Sequence, residues 1–89
     1  MNFELNNVVK MILIFNKAET EIKNFLFLSA SALKNKEYKI KSAENTLSAI
    51  ENYKNLPVEL RKELEKDKTG NINKIIEIEK LCKEVISKK

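Results

Sequence analysis

One glycine and one proline among 89 residues limit this chain more than any other feature of its sequence. They stand at Gly70 and Pro57, and the first 56 residues contain neither. Tight β-turns and phosphate-binding loops depend on glycine because it adopts positive φ, and short β connections favour proline. The sequence therefore predicts an all-α protein, built of helices that short polar turns connect.

Length and composition predict a single helical-bundle domain over residues 1–89. Hydrophobic residues make up 43% of the chain, which is enough to form a core. A domain of this size buries only about 60% of the surface that its unfolded chain exposes. We therefore expect modest stability, or stability that a partner or a second copy increases.

The periodicity of apolar residues predicts a small antiparallel bundle of four to five helices with short connections. The organisation of residues 4–34 stays open. Asn16 and Glu19 resemble a capping box that would start a second helix near Lys17. A single bent helix is the alternative, because one heptad stripe runs through the whole stretch: Leu5, Val8, Ile12, Phe15, Ile22, Leu26 and Leu33.

The second half of the chain predicts three further helices. Asn35 is expected to end the preceding helix, and a helix from about Glu37 to Lys54 follows with Tyr53 on its flank. The seam of that helix is Ile40, Ala43, Leu47 and Ile50.

Pro57 suits the first position of a short helix that extends to about Lys68. Gly70 is expected to end that helix as its C′ residue, with Asn71 or Asn73 as the N-cap of the last helix.

The residue inventory excludes several kinds of chemistry. The chain has no histidine, so imidazole bases and His-based nucleophile triads are absent. It also has no glycine-rich loop for a nucleotide phosphate. Glu59 and Glu63 lie one helical turn apart, but interleaved lysines indicate a solvated face rather than a magnesium site. Cys82 is expected to be a buried core residue. We therefore predict no enzyme, no cofactor and no metal.

The cysteine count and the hydropathy pattern predict a cytoplasmic protein. A single cysteine cannot form an intramolecular disulfide, and the N-terminus lacks the pattern of a signal peptide. The longest apolar run, Val8 to Phe15, is far shorter than the roughly 20 residues of a membrane span.

Two regions are candidates for partner binding. The first is apolar surface that a short chain is not expected to bury alone, with Met11 and Leu13 as its centre and Val9, Phe25 and Phe27 as further members. The second is the basic turn Lys34–Lys41, in which the candidate residues are Lys36, Tyr38, Lys39 and Lys41. Lysines beside a tyrosine suit an acidic protein surface or phosphates. Arg61 is the single arginine, and nucleic-acid readers usually carry more.

Two loose resemblances accompany these patterns. Ser31 to Pro57, with Leu33, Tyr38, Ala43 and Ile50, resembles one tetratricopeptide-type helical hairpin, although it has no glycine at the turn and only one unit is present. By size, basicity and helical content the chain is also similar to bacteriocin immunity proteins and to small phage-encoded inhibitors of host defence. The second resemblance implies a protein that works by occupying a partner, and it assigns no residue roles.

The sequence thus predicts a non-enzymatic protein-binding module of inhibitor, immunity or adaptor type, of the kind that phages or mobile elements encode against host defence complexes. A larger protein is the expected partner. Two alternatives stay open: a nucleic-acid-associated regulator that uses the Lys34–Lys41 turn, and a structural homo-oligomer that pairs through the apolar seam of residues 5–33.

Overall fold

The structure is a computed structural model that describes residues 5–30, 36–66 and 70–88. Within these ranges the chain forms four α-helices and one short 3-10 helix, which confirms the predicted all-α bundle. The elements are α1 (Leu5–Ala30), α2 (Lys36–Lys54), α3 (Val58–Leu64), the 3-10 helix (Asn71–Lys74) and α4 (Ile75–Ser87).

Helix α2 lies at the centre of the bundle and contacts both α1 and α4. It runs antiparallel to α1, because Thr46 in its second half approaches Glu21 while Tyr38 near its start lies beside Phe27. It also runs antiparallel to α4. Lys54 at the end of α2 forms an ion pair with Glu79, with Nζ and Oε1 2.6 Å apart. Helices α1 and α4 are therefore parallel to each other on two sides of α2.

The core forms where small residues let the three long helices approach closely. Ala18 of α1 and Ala43 of α2 are fully buried. The Thr46 hydroxyl lies 3.0 Å from the carbonyl oxygen of Glu21 in α1 and 2.7 Å from that of Ser42 in α2, so the two acceptors share its single proton. The larger buried side chains are Ile22, Phe25, Ile50, Tyr53, Leu56, Ile72, Ile75, Ile78 and Cys82.

Helix α1 is continuous through Lys17, the position at which the capping-box pattern would start a second helix. The capping-box interpretation of Asn16 and Glu19 is therefore wrong. Both residues lie inside α1, and the Glu19 carboxylate hydrogen-bonds to the backbone of Asn71 and Ile72 in the 3-10 helix instead. Glu19 thus caps a helical segment that is remote in sequence, which the capping-box pattern does not predict.

Two aromatic side chains are more deeply buried than their patterns predicted. Tyr53, placed on the flank of α2, is fully buried, and its ring centroid lies 6.3 Å from that of Phe15. Phe25, counted with the surplus apolar surface, is only 1% exposed and belongs to the core. The stripe of α1 omits Phe25 and the seam of α2 omits Tyr53, because each helix buries an arc wider than one seam.

The boundaries around α3 also differ from the prediction. Pro57 precedes the helix as its N-cap residue, with ψ of 139°, and α3 ends at Leu64 rather than near Lys68. Gly70 has φ of −82° and is the N-cap of the 3-10 helix, so it is not a left-handed C′ residue.

The N-cap of α4 is Lys74, which replaces the predicted Asn71 or Asn73. The expected helix end at Asn35 lies outside the described residues, as does Lys34.

Candidate partner-binding surfaces

The residues predicted to bind a partner lie on separate surfaces. Successive residues of an α-helix are about 100° apart, so α2 presents its basic turn in two directions. Tyr38 and Lys41 face α1, whereas Lys36 and Lys39 face the end of α4. The basic turn is therefore divided between the two sides of α2.

The first surface is a groove between α1 and α2, about 400 Å³ in volume, which we call the aromatic groove. Phe27 of α1 is 69% exposed and Tyr38 of α2 is 66% exposed, and both line this groove. Large aromatic rings are usually buried to a much greater extent, since each can remove about 150–250 Å² from water. The full lining is Glu21, Asn24, Phe27, Leu28, Tyr38, Lys41, Ser42 and Asn45.

Polar groups of several kinds surround the two rings of the aromatic groove. Asn24 and Asn45 each supply an amide that can donate and accept hydrogen bonds, and Lys41 supplies a positive charge. The Glu21 carboxylate is already engaged, because its Oε1 lies 3.1 Å from the Lys17 Nζ. The arrangement suits an apolar side chain between the rings, with peptide groups or a carboxylate at the rim.

The second surface is a smaller groove of about 210 Å³ between the start of α2 and the end of α4, which we call the lysine groove. Its lining is almost entirely apolar, because Lys36, Lys39 and Lys88 line it beside Ile40 and Val85 chiefly through their aliphatic stems, which leaves their ammonium groups at its rim. It therefore combines aliphatic contact with positive charge.

The third surface is the exposed side of the first turns of α1. Val9 and Ile12 are each 46% exposed and Leu13 is 60% exposed. Met11 differs from its neighbour Leu13, because it is half-buried and packs against the core. Met11 and Leu13, two positions apart in sequence, therefore lie on different faces of α1.

The apolar seam expected to join two copies is largely used within the chain. Ile22 is fully buried, and Phe15 and Leu26 pack against the core. Of the seam residues whose burial the structure describes, Ile12 is the one whose side chain stays nearly half exposed.

Sequence reasoning missed several residues that line the grooves. Asn24, Leu28 and Asn45 have no distinctive motif, although the antiparallel register of α1 and α2 would have placed them beside Tyr38 and Lys41. Val85 and Lys88 join the basic turn only through tertiary packing, which no local pattern reveals.

Two titratable groups in the core have altered acidity. Burial raises the pKa of Tyr53 well above its ordinary value, and the Glu65 carboxylate, which accepts a hydrogen bond from its hydroxyl at 2.9 Å, raises it further. Burial and the nearby Glu79 charge raise the pKa of the Cys82 thiol to about 11. A protonated, fully buried thiol is a poor nucleophile, so Cys82 is the core residue that the sequence predicts.

Acidic residues of the described helices do not gather into a site. No group of three or more Cys, Asp or Glu side chains suited to a metal occurs among the described residues. Glu63 instead pairs with Lys66 at 2.8 Å on an exposed face, as the sequence predicts for a solvated helix. No helix in the described part of the chain is long and apolar enough to span a membrane.

The sequence matches no protein-family model, and comparison with curated proteins and with solved structures gives no significant match.

Proposed function

We propose that this chain is a non-enzymatic protein-binding module that acts by occupying a site on a larger protein, as inhibitors, immunity proteins and adaptors do. The observation that carries the proposal is the aromatic groove, in which Phe27 and Tyr38 are 69% and 66% exposed on its two helices. Exposed aromatic residues at a groove are typical of binding hot spots, where a partner completes their burial.

The groove also indicates what the partner presents. Space between two aromatic rings favours an apolar side chain, and the amides of Asn24 and Asn45 match the donors and acceptors of a peptide backbone. Lys41 at the same groove favours an acidic residue beside that apolar side chain. The proposed partner surface is therefore a protruding apolar residue with an acidic neighbour.

Small size, mild basicity and helical content also favour the more specific proposal of a cytoplasmic inhibitor that a phage or mobile element uses against a host defence complex. This finer proposal depends on likeness to such proteins in general character. The proposal that the aromatic groove binds a partner does not depend on it.

A protein partner is favoured over nucleic acid because of where the lysines lie. A nucleic-acid surface needs basic side chains along one face, where they follow the phosphates. Lys36 and Lys39 lie on the opposite side of α2 from Lys41, so these three do not form such a face.

The test is affinity isolation with the tagged chain from a lysate of the source organism, and of its host if it is viral, with and without nuclease. Wild type is compared with Phe27→Ala and with Val58→Ala, a control residue that is 50% exposed outside the groove. Alanine is the best helix former, so both variants should retain the helicity of wild type by circular dichroism.

We expect wild type and Val58→Ala to retain one protein in stoichiometric amount after nuclease treatment. We expect Phe27→Ala to lose that protein. Three results contradict the proposal. Loss of all bound material on nuclease treatment indicates the nucleic-acid regulator, and recovery of the bait alone as a dimer indicates the homo-oligomer. Equal retention of the partner by Phe27→Ala shows that the aromatic groove is not the binding surface.

A further inference from the structure

The lysine groove concentrates positive charge around an apolar surface without compensation. None of Lys36, Lys39 and Lys88 forms an ion pair with another described residue. The other end of the same helix pair differs, because there Lys54 is neutralised by Glu79. Glu37 and Glu84 adjoin the groove in sequence but are not part of its lining. An anion at the rim of the groove would interact favourably with all three positive charges.

The size of the lysine groove limits what it can hold. Its volume of about 210 Å³ is below the roughly 300–1,000 Å³ of pockets that enclose a whole drug-sized ligand. Ile40 and Val85 offer aliphatic contact over that small space, which suits a single branched side chain. The complementary chemistry is therefore a carboxylate attached directly to a residue with an aliphatic side chain.

We propose that the lysine groove binds the C-terminal residue of a partner polypeptide that ends in an aliphatic amino acid. Its side chain packs against Ile40 and Val85, and its terminal carboxylate lies among the ammonium groups of the three lysines. A chain terminus provides both groups on one residue, and recognition of terminal carboxylates is an established mode of peptide binding. This site lies across α2 from the aromatic groove and goes beyond the proposed function.

The test uses nuclear magnetic resonance titration of the isotope-labelled chain with three synthetic pentapeptides. The first ends in leucine with a free carboxylate, the second is its C-terminal amide, and the third ends in glycine with a free carboxylate. We expect saturable shifts of the Ile40 and Val85 amide signals with the first peptide. An exposed lysine contributes at most about fivefold to the affinity for a carboxylate, so the amide should bind about tenfold more weakly when it loses three such contacts.

The glycine peptide should also bind more weakly, because it lacks the aliphatic contact. Equal affinity of the acid and the amide overturns the proposal, as does equal affinity of the leucine and glycine peptides. Absence of saturable shifts at Ile40 and Val85 with the leucine acid overturns it as well.

Substitutions test whether the three lysines of the groove hold the carboxylate. Lys39→Gln should weaken the leucine acid about two- to fivefold, and a triple variant with Lys36→Gln, Lys39→Gln and Lys88→Gln should abolish the preference for acid over amide. Lys62→Gln, at an exposed position of α3 outside both grooves, is the matched control and should change nothing. Glutamine and lysine have similar helix propensities, so circular dichroism should be unchanged.

A folded triple variant that still prefers the acid contradicts the assignment of the lysines. A negative peptide titration does not bear on whether Phe27 is needed to capture a partner protein. The two proposals are therefore tested separately.

Discussion

The Glu19 carboxylate caps the backbone of a segment far along the chain, because its Oε1 accepts a hydrogen bond from the Ile72 N–H at 2.8 Å. Its Oε2 accepts a second from the Asn71 N–H at 3.0 Å. The first N–H groups of a helical segment have no partner within it, and negative charge there is favourable. One side chain of α1 thus fixes where the 3-10 helix begins and, through it, where α4 lies.

Substitution of Glu19 should therefore loosen the start of the last helical segment. Glu19→Ala removes the acceptor from two N–H groups and should lower the free energy of unfolding by about 2 kcal/mol. Urea denaturation measures this loss, and hydrogen exchange at Asn71 and Ile72 should accelerate. Glu51→Ala, at an exposed position of α2, is the control and should change stability by less than about 0.5 kcal/mol. Equal effects of the two variants would show that the contact contributes nothing.

Gly70 should be coupled to Glu19 through space. A Cβ at position 70 would lie 3.0 Å from Oε1 of the Glu19 carboxylate, whose two oxygens each accept one backbone hydrogen bond. The φ of −82° at Gly70 permits alanine, so the backbone adds no strain. We expect Gly70→Ala to destabilise wild type slightly.

The same substitution in the Glu19→Ala background should stabilise the chain by about 0.4–1 kcal/mol, because alanine lowers the entropy of the unfolded state. Urea denaturation of the four proteins in this double-mutant cycle measures the coupling. If Gly70→Ala changes the free energy of unfolding with the same sign in both backgrounds, the coupling between Gly70 and Glu19 is excluded.

These contacts indicate how far the sequence could predict the structure. Apolar periodicity and the scarcity of glycine and proline suffice for four helices and for the burial of Cys82. The position of the Glu19 partner could not be read from sequence, because 53 residues separate it from Ile72. Likewise, Tyr38 and Lys41 were identified as candidates, but the groove depends on Phe27 from another helix, and only packing brings them together.

Tyr53 should make stability depend on alkaline pH. Its hydroxyl donates a hydrogen bond to the Glu65 Oε1 at 2.9 Å, and its pKa is raised in the folded chain by burial and by that contact. Since the pKa in the unfolded chain is about 10, the folded state gains stability that is complete below about pH 10 and is lost as the pH rises beyond it.

Tyr53→Phe should cost about 1 kcal/mol at neutral pH and should flatten the decline in unfolding free energy above pH 10. Urea denaturation at pH 7, 9 and 11 measures both effects. Cys82, whose pKa is raised to about 11, adds a similar decline in both proteins and cancels from the comparison. An equally steep decline in Tyr53→Phe would contradict this role.

Met11 and Leu13 should respond differently to the same substitution. Met11 packs against the core, so Met11→Asp buries an unpaired charge and should destabilise the chain by more than about 2 kcal/mol. Leu13 is 60% exposed, so Leu13→Asp should cost less than about 1 kcal/mol. Thermal unfolding by circular dichroism distinguishes the two. Comparable losses would mean that Leu13 is also covered, by the chain itself or by a second copy.

The central claim is that the aromatic groove holds a partner protein, and the dissociation constant of the captured partner tests it most directly. Tyr38→Ala should raise that constant about 30-fold, the loss typical of a binding hot spot, while Tyr38→Phe keeps the ring and most of the affinity. Ile76→Ala is the control, since Ile76 is 83% exposed outside the groove, and it should change the constant by less than about twofold. If Tyr38→Ala binds as tightly as wild type, or if Ile76→Ala weakens binding to the same extent, the aromatic groove is not the binding surface.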